Sequence, residues 1–357
     1  MKIFENQIEL KIRAFFFNAK TDYLPYYKNF SFMIDTTEDI LLKDILPMIK
    51  EQNPDFSYPE KELIFRVNNL VVTGYEKLST VIDRLGVELT IDPVLKYRSD
   101  NGLIINNHDF MHQFRRILGH YASKEDLEFY LRLYPVHYAS ETFNYNKEYI
   151  GDAILILANK MISDGNPNYI EILDAINDEF DGISCCEYEN NLFKDVDYSK
   201  DIDNLKAMIP NKKKISIIDS LINKISARKE QRSYDVDLFQ PQNIALYVGD
   251  KSSAKLIEEI KELVESSGST FIEFDMATKK AGQSIIDTNP KIAYKKAGKM
   301  LLEAFDNGAT VLAFAKDKDL EFFSSIHDEV ESAVGRDINL NIVSLSKLKE
   351  LTQAVEA

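Results

Sequence analysis

Residues 181–210, DGISCCEYENNLFKDVDYSKDIDNLKAMIP, hold the only cysteines of the chain, Cys185 and Cys186, side by side. Their reading decides what can hold the fold together. Neighbouring cysteines rarely bridge, because the ring they would close is strained. Two adjacent thiols also fall short of the roughly four converging thiolates that a cubane iron–sulfur centre requires. With neither a disulfide framework nor a cluster to organise it, the chain must be built on hydrophobic cores. Two cysteines in 357 residues also fit a reducing compartment. A redox pair or a metal ligand remains open to these thiols where they are exposed and their pKa lowered; otherwise each is a small buried hydrophobe.

Material for such cores is plentiful. Hydrophobic residues make up 45% of the chain and aromatic residues 11%, beside 28% charged residues, which is the composition of a folded globular protein. The length exceeds one ordinary core and predicts two or three domains. A net charge of −15 argues against binding nucleic acid or an anionic membrane surface, since both need a basic footprint. No window approaches the ~20 apolar residues of a membrane span. The opening MKIFENQIELKIRAFFF reads as a strand rather than a secretory signal. These features predict a cytoplasmic protein without direct membrane insertion.

Upstream, residues 1–107 predict a small mixed domain. Ile8 to Phe17 and Asn29 to Asp35 have the β-branched and aromatic enrichment of strands and form an expected hairpin. From Ile40 to Lys50, Leu41, Leu42, Ile45, Leu46 and Ile49 fall at helical spacing, with Pro47 as an interruption and Asn53-Pro54 as the stop. Leu63 to Val72, turning at Asn68-Asn69, and Val87 to Ile91 supply further strands. Two strands, a helix and more strands make a β-grasp-like order.

Residues 108–226 predict an all-helical domain. Phe110, Phe114 and Ile117 share one face; Ser123 is an N-cap with Asp126 three residues on, and Pro135 a stop. Tyr149 to Met161 and Tyr169 to Phe180 are two further amphipathic helices. The charged segment 227–242, ARKEQRSYDVDLFQPQ, reads as a linker. Beyond it, 243–357 alternates strands (243–248, 270–275, 309–315, 340–343) with helices (253–265, 292–305, 317–333). This pattern predicts an α/β domain with a mostly parallel sheet. The fold class expected is thus α+β multidomain.

Several phrases resemble known families. IFRVNNLVVTGYEKL (64–78) and VELTIDPVLKYRSDNGLIINNHDF (87–110) resemble the ferredoxin domain of succinate dehydrogenase and fumarate reductase iron–sulfur subunits, without that domain's cysteine loop. LEFYLRLYP (127–135) resembles a ligand segment of the helical ferredoxin domain in the same subunits. Under that resemblance Lys124, Leu127, Tyr130 and Tyr134 stand where the family has cysteines. DGISCC resembles the start of the second ligand set, with Cys186 in its first position and Leu192 and Val196 in later ones. IALYVGD, KKAG and NGATVLAFAKDKDLEFF resemble the cysteine-rich CCG domain of heterodisulfide reductases. Here Asp250, Lys280, Lys316 and Asp319 take cysteine positions. Leucine, valine and tyrosine cannot ligate iron, but they can fill the volume a lost cluster would leave.

Other candidate chemistry is sparse. His108, His112 and His120 have helical spacing that suits zinc, but lack the glutamate of an HExxH site. The turn Gly249 to Ser253 follows a strand and precedes a helix, as phosphate-binding turns do, yet has neither glycine-rich fingerprint, so it reads as a capped turn. The acidic run 174–181, DAINDEFD, lacks a calcium-loop grid and reads as a solvated helix end. The resemblance and these residues together imply a non-catalytic, cluster-free relative of a respiratory iron–sulfur subunit that holds no cofactor and acts as a scaffold for protein partners. The alternative is an accessory subunit of a fumarate reductase-like or heterodisulfide reductase-like complex, with a flavoprotein as partner.

Overall fold

A computed structural model describes residues 7–35, 38–209, 241–250 and 253–353. It divides into two compact units: Met1–Phe143 with Glu148–Asp178 and Asn190–Ile209, and Asn144–Lys147 with Glu179–Glu189 and Pro210–Ala357. Most of the expected linker, 227–240, lies outside the described residues.

In the first unit, β1 (Gln7–Phe16) pairs antiparallel with β2 (Tyr26–Asp35). Leu10, Ile12, Ala14 and Phe16 are buried while Glu9, Lys11 and Arg13 stay exposed, the period-two pattern of a sheet with one wet face. β3 (Ile64–Val67) and β4 (Leu70–Thr73) form a hairpin. Its two turn residues, Asn68 and Asn69, have φ of 46° and 69°, as a type I′ turn demands, and asparagine tolerates this. The Asn68 side chain also accepts from the Thr90 N–H at 2.7 Å, fixing β5 (Glu88–Asp92) beside the hairpin. β5 runs parallel to β1, giving a mixed sheet of order β2-β1-β5-β3-β4.

Over this sheet lie α1 (Ile45–Gln52) and α2 (Leu78–Leu85). α1 starts late enough to put Pro47 in its first turn, where the missing N–H has no helical partner to lose, so the expected interruption becomes a start. Leu46, Ile49 and Val81 close the core against Phe65, Val67 and Leu89. Beyond a short ribbon of β6 (Ser99–Asn101) and β7 (Ile104–Ile105), the chain turns helical. α3 (His108–Gln113) continues as a π-helical turn over Phe114–Leu118.

α4 (Lys124–Arg132) opens on the capping box of Ser123 and Asp126. α5 (Tyr134–Ala139) has Pro135 in its first turn, so that proline begins a helix as well as ending the previous one. α6 (Asp152–Ser163) is buried on nearly every side, which its run of apolar residues requires. α7 (Tyr169–Ile176) and α8 (Ser199–Met208) complete the unit. The backbone at Asn191 and Phe193 bonds Val71 at 2.7 and 2.9 Å, so the outer strand β4 is covered rather than left open.

The second unit holds a parallel sheet of β8 (Asn243–Tyr247), β9 (Thr270–Ile272), β10 (Val311–Phe314) and β11 (Asn341–Ser344), in the order β11-β10-β8-β9. Among the described residues four helices surround it: α9 (Ala254–Ser266), α10 (Pro290–Asp306), α11 (Asp317–Val334) and α12 (Leu345–Gln353). Ile244, Leu246, Val311 and Ala313 pack on one face, and Ala245, Tyr247, Leu312 and Phe314 on the other. Burial on both faces explains why these strands read as continuous apolar runs. Strand order reverses between β8 and β10, the switch point at whose carboxyl ends open α/β sheets commonly bind ligands. Among the described residues no helix is long and apolar enough to cross a membrane.

Candidate functional site

At that switch point, β8 runs into Gly249 and Asp250 while β10 runs into Lys316, the residue that precedes α11. Lys316 Nζ lies 2.5 Å from Asp250 Oδ2. The other oxygen of Asp250 accepts the Ser253 N–H and hydroxyl, both at 3.0 Å, so the turn is capped from within. Asp319, in the first turn of α11, is buried, and that burial pushes its carboxyl up; Lys316 and Lys318 oppose the shift and Asp250 adds to it. Beneath them Tyr247 donates its hydroxyl to the Lys279 carbonyl at 2.8 Å and packs edge-on to Phe314 and Phe323. The Ser253 N–H, a backbone donor that an anion would need, is already taken by Asp250, in keeping with the capped-turn reading. Residues 251 and 252 lie outside the described residues.

Three sequence-derived positions, Asp250, Lys316 and Asp319, therefore meet. Lys280 is turned elsewhere: its ammonium bonds the Tyr188 carbonyl at 2.9 Å and its N–H bonds Glu189 at 3.2 Å.

The cysteine loop is closed by its own neighbours. Cys185 and Cys186 are both buried and neither is in a disulfide. Cys185 Sγ donates to the Phe180 carbonyl at 3.2 Å and receives the side-chain amides of Asn146 and Asn289 at 3.5 and 3.3 Å. Burial pushes its thiol up, against the opposing hydrogen bonds. An iron–sulfur cluster of the kind the resembled family carries does not fit a pair of adjacent, enclosed thiols with one held protonated.

One residue further on is Glu187, which no sequence motif marks. It accepts the N–H of Gly282 at 2.8 Å and the N–H and hydroxyl of Ser284 at 3.1 and 2.9 Å, and meets Lys296 Nζ at 2.5 Å. Both side chains are 3% exposed. Burial works to raise the Glu187 carboxyl, but Lys296 and Ser284 together hold it below its ordinary value. A signal for Lys296 does exist: Ile292, Lys296 and Met300 recur every four residues, so a lysine occupies the core face of α10.

The positions matched to the helical ferredoxin segment scatter. Tyr130 is fully buried, stacks on Phe110 at 4.3 Å and donates to the Phe110 carbonyl at 2.8 Å. Tyr134 meets the same ring edge-on at 5.0 Å, accepts from Asn107, and is pushed up to about 12, chiefly by burial. Leu127 and Leu192 are half-buried. Lys124 projects outward with its side chain 89% exposed, and Val196 is 40% exposed. The tyrosines fill buried space, whereas Lys124 and Val196 face water. Cys186 belongs to the second unit and the other positions of this set to the first.

His108, His112 and His120 are all exposed, and among the described residues their donors do not converge with acidic or thiol groups into a set of three. The acidic run lies at the end of α7, with Asp174, Asp178 and Glu179 exposed as expected. His137, which the sequence did not single out, is completely buried. Its Nε2 faces Asp109 Oδ2 at 3.1 Å, and Asp109 also pairs with Arg98 at 2.6 Å and accepts from Tyr138 at 2.8 Å. Burial pushes His137 down and so keeps it neutral. Burial alone would raise Asp109; His137, Tyr138 and Arg98 hold it below its ordinary value. A cavity of about 350 Å³ opens in the same unit beside Phe16, Asn18, Asp22, Tyr26, Asp55 and Asn101.

No family model matches this chain, and no curated protein matches it. Among solved structures, the chain is similar to a hypothetical protein from Helicobacter pylori, at 18% identity and a TM-score of 0.47 over 96% of this chain and 70% of that one.

Proposed function

We propose that the protein is a non-catalytic, cluster-free relative of a respiratory iron–sulfur subunit that works by holding protein partners. In this reading the first unit combines a β-grasp domain with a degenerate helical ferredoxin domain, and the second is a degenerate form of the heterodisulfide reductase CCG domain. The sheet order β2-β1-β5-β3-β4, with β1 and β5 parallel, supports the β-grasp part. The observation that carries the cluster-free part is the enclosure of Cys185 by Asn146, Asn289 and the Phe180 carbonyl. A sulfur surrounded in this way has its polar sites filled by the protein itself. The Lys316–Asp250 pair does the same at positions where the resembled domain has thiolates.

Iron and acid-labile sulfide analysis, with an absorption spectrum, on protein purified without oxygen tests this reading. A colourless and folded protein with no sulfide is the expected result. Sulfide-bearing iron near one cluster per chain would overturn it.

A further inference from the structure

α11 carries His327, Asp328 and Glu331, and one donor atom from each, a ring nitrogen and two carboxylate oxygens, lie within 4.8 Å of one another. His327 and Glu331 are one turn apart and share a helix face. His327 Nδ1 is a buried atom without a hydrogen-bond partner, which a folded protein rarely tolerates. The Glu331 Oε2 atom stands 3.8 Å from it, too far for a hydrogen bond. Two ligands of a tetrahedral ion bound at about 2.0–2.1 Å are about 3.4 Å apart, so this gap is close to the one an ion would span. Glu331 is also pre-oriented: its Oε1 accepts the Ile338 N–H at 2.7 Å, which turns Oε2 toward the ring. Hydrogen-bonded carboxylate ligands are the usual support of such centres.

The geometry points to a divalent transition-metal site of the zinc class, with His327 Nδ1, Glu331 Oε2 and an Asp328 oxygen as ligands and water in the fourth position. An imidazole donor disfavours calcium and magnesium, which take oxygen shells, and the absence of a thiolate from the set disfavours softer ions. Closing on the ion draws the carboxylates inward by about an ångström, given those bond lengths. Because Glu331 also holds Ile338, the ion ties α11 to the turn that leads into β11.

The test is calorimetric titration of zinc into the full-length, chelator-treated protein, with cobalt as an absorbing probe. Saturable one-to-one binding is expected, weakened at least tenfold by His327→Gln and by Glu331→Gln, each checked for folding by circular dichroism. Cobalt should give a spectrum without a thiolate charge-transfer band. The inference is overturned if the unsubstituted protein binds no zinc, if both variants bind it as well as the parent, or if a thiolate band appears. It does not rest on the cluster-free reading, because sulfide content and zinc binding are read separately.

Discussion

Two salt bridges in the second unit have the same 2.5 Å length and opposite surroundings. Glu187–Lys296 is 3% exposed on both sides, whereas Lys316 is 40% and Asp250 33% exposed. Distance alone would rank them equal. Burial separates them: the first pair has given up its water and depends on every remaining donor and acceptor, and the second still shares its charge with solvent. The cysteine loop therefore matters to architecture through its neighbour Glu187 more than through its thiols. The strand ends at the switch point, where open α/β sheets bind their ligands, are joined by the weaker kind of bond.

The largest expected effect follows from breaking the buried pair from one side. Lys296→Met leaves Glu187 charged and unpaired among Gly282 and Ser284, and should destabilise the protein by about 3–5 kcal/mol, read as a lowered urea midpoint. Adding Glu187→Gln should restore part of that loss, because the stranded charge is gone and the amide oxygen still accepts from Ser284, while the contact with the Gly282 N–H, made by the other carboxylate oxygen, is given up. A double variant no better than Lys296→Met would show that packing, rather than charge, dominates the site.

A smaller loss is expected at the buried histidine of the first unit, which is kept neutral by burial while it faces Asp109. Gly151, at the start of α6, has φ of +96°, and a Cβ there would stand 2.3 Å from His137 Nδ1. Gly151→Ala should destabilise by about 1–3 kcal/mol from backbone strain alone, with the clash added. A thermal melt matching the parent would mean that both the backbone at residue 151 and the His137 ring relax without cost, contrary to the φ of +96° and the complete burial of the ring.

The same histidine sets a pH test that separates the two regions. Burial depresses the folded pKa of His137, so the unfolded chain takes up a proton first as pH falls. Its contribution is full above about pH 6.5 and is lost below it, at up to about 1.4 kcal/mol per pH unit. The Glu187 carboxyl is also depressed, but its contribution stays full above about pH 4.3 and declines only as pH falls from there through the folded value. Between about pH 6.5 and about pH 5, then, His137→Leu should flatten the dependence of the urea midpoint on pH, while Asp109 keeps Arg98 and Tyr138 as partners. A slope unchanged by that substitution would assign the titration elsewhere.

How much of this was legible in the sequence depends on how local the cause is. The Asn68-Asn69 turn, the Ser123–Asp126 capping box and the apolar runs of the parallel sheet are set by neighbours a few residues away, and their expected places agree with the fold. Helix ends were less legible: the helix expected to reach Phe180 stops at Ile176, and the one expected from Tyr149 starts at Asp152. At that start, local chain chemistry competes with a side-chain contact, as when Tyr149 bonds Asp152 at 2.8 Å. Glu187 and His137 were invisible for a different reason. Their partners, Lys296 and Asp109, are brought to them by tertiary packing, and no spacing rule connects residues 187 and 296. Asp250, Lys316 and Asp319 were singled out one by one through a family resemblance, and it is the parallel register of β8 and β10 that joins Asp250 to the other two.

The smallest effect belongs to the exposed pair, and its pH dependence is more telling than its size. Lys316→Ala should change stability at neutral pH by about 0–1 kcal/mol, as half-exposed pairs do. Asp319, however, is already pushed up by burial, and Lys316 is the first cation opposing that shift. Removing the lysine should raise this carboxyl further. A folded-state pKa above the unfolded one favours the protonated group, so the Asp319 contribution is fully present below the unfolded value and is lost as pH rises through the folded one. The variant should therefore match the parent near about pH 3.5 and fall behind it toward about pH 7, a divergence that carboxyl-resolved NMR titration would trace to Asp319. A uniform deficit at all pH values would instead mean that the Lys316 stem supports the strand ends by packing, and the contrast between the two bridges would then be one of contact rather than of charge.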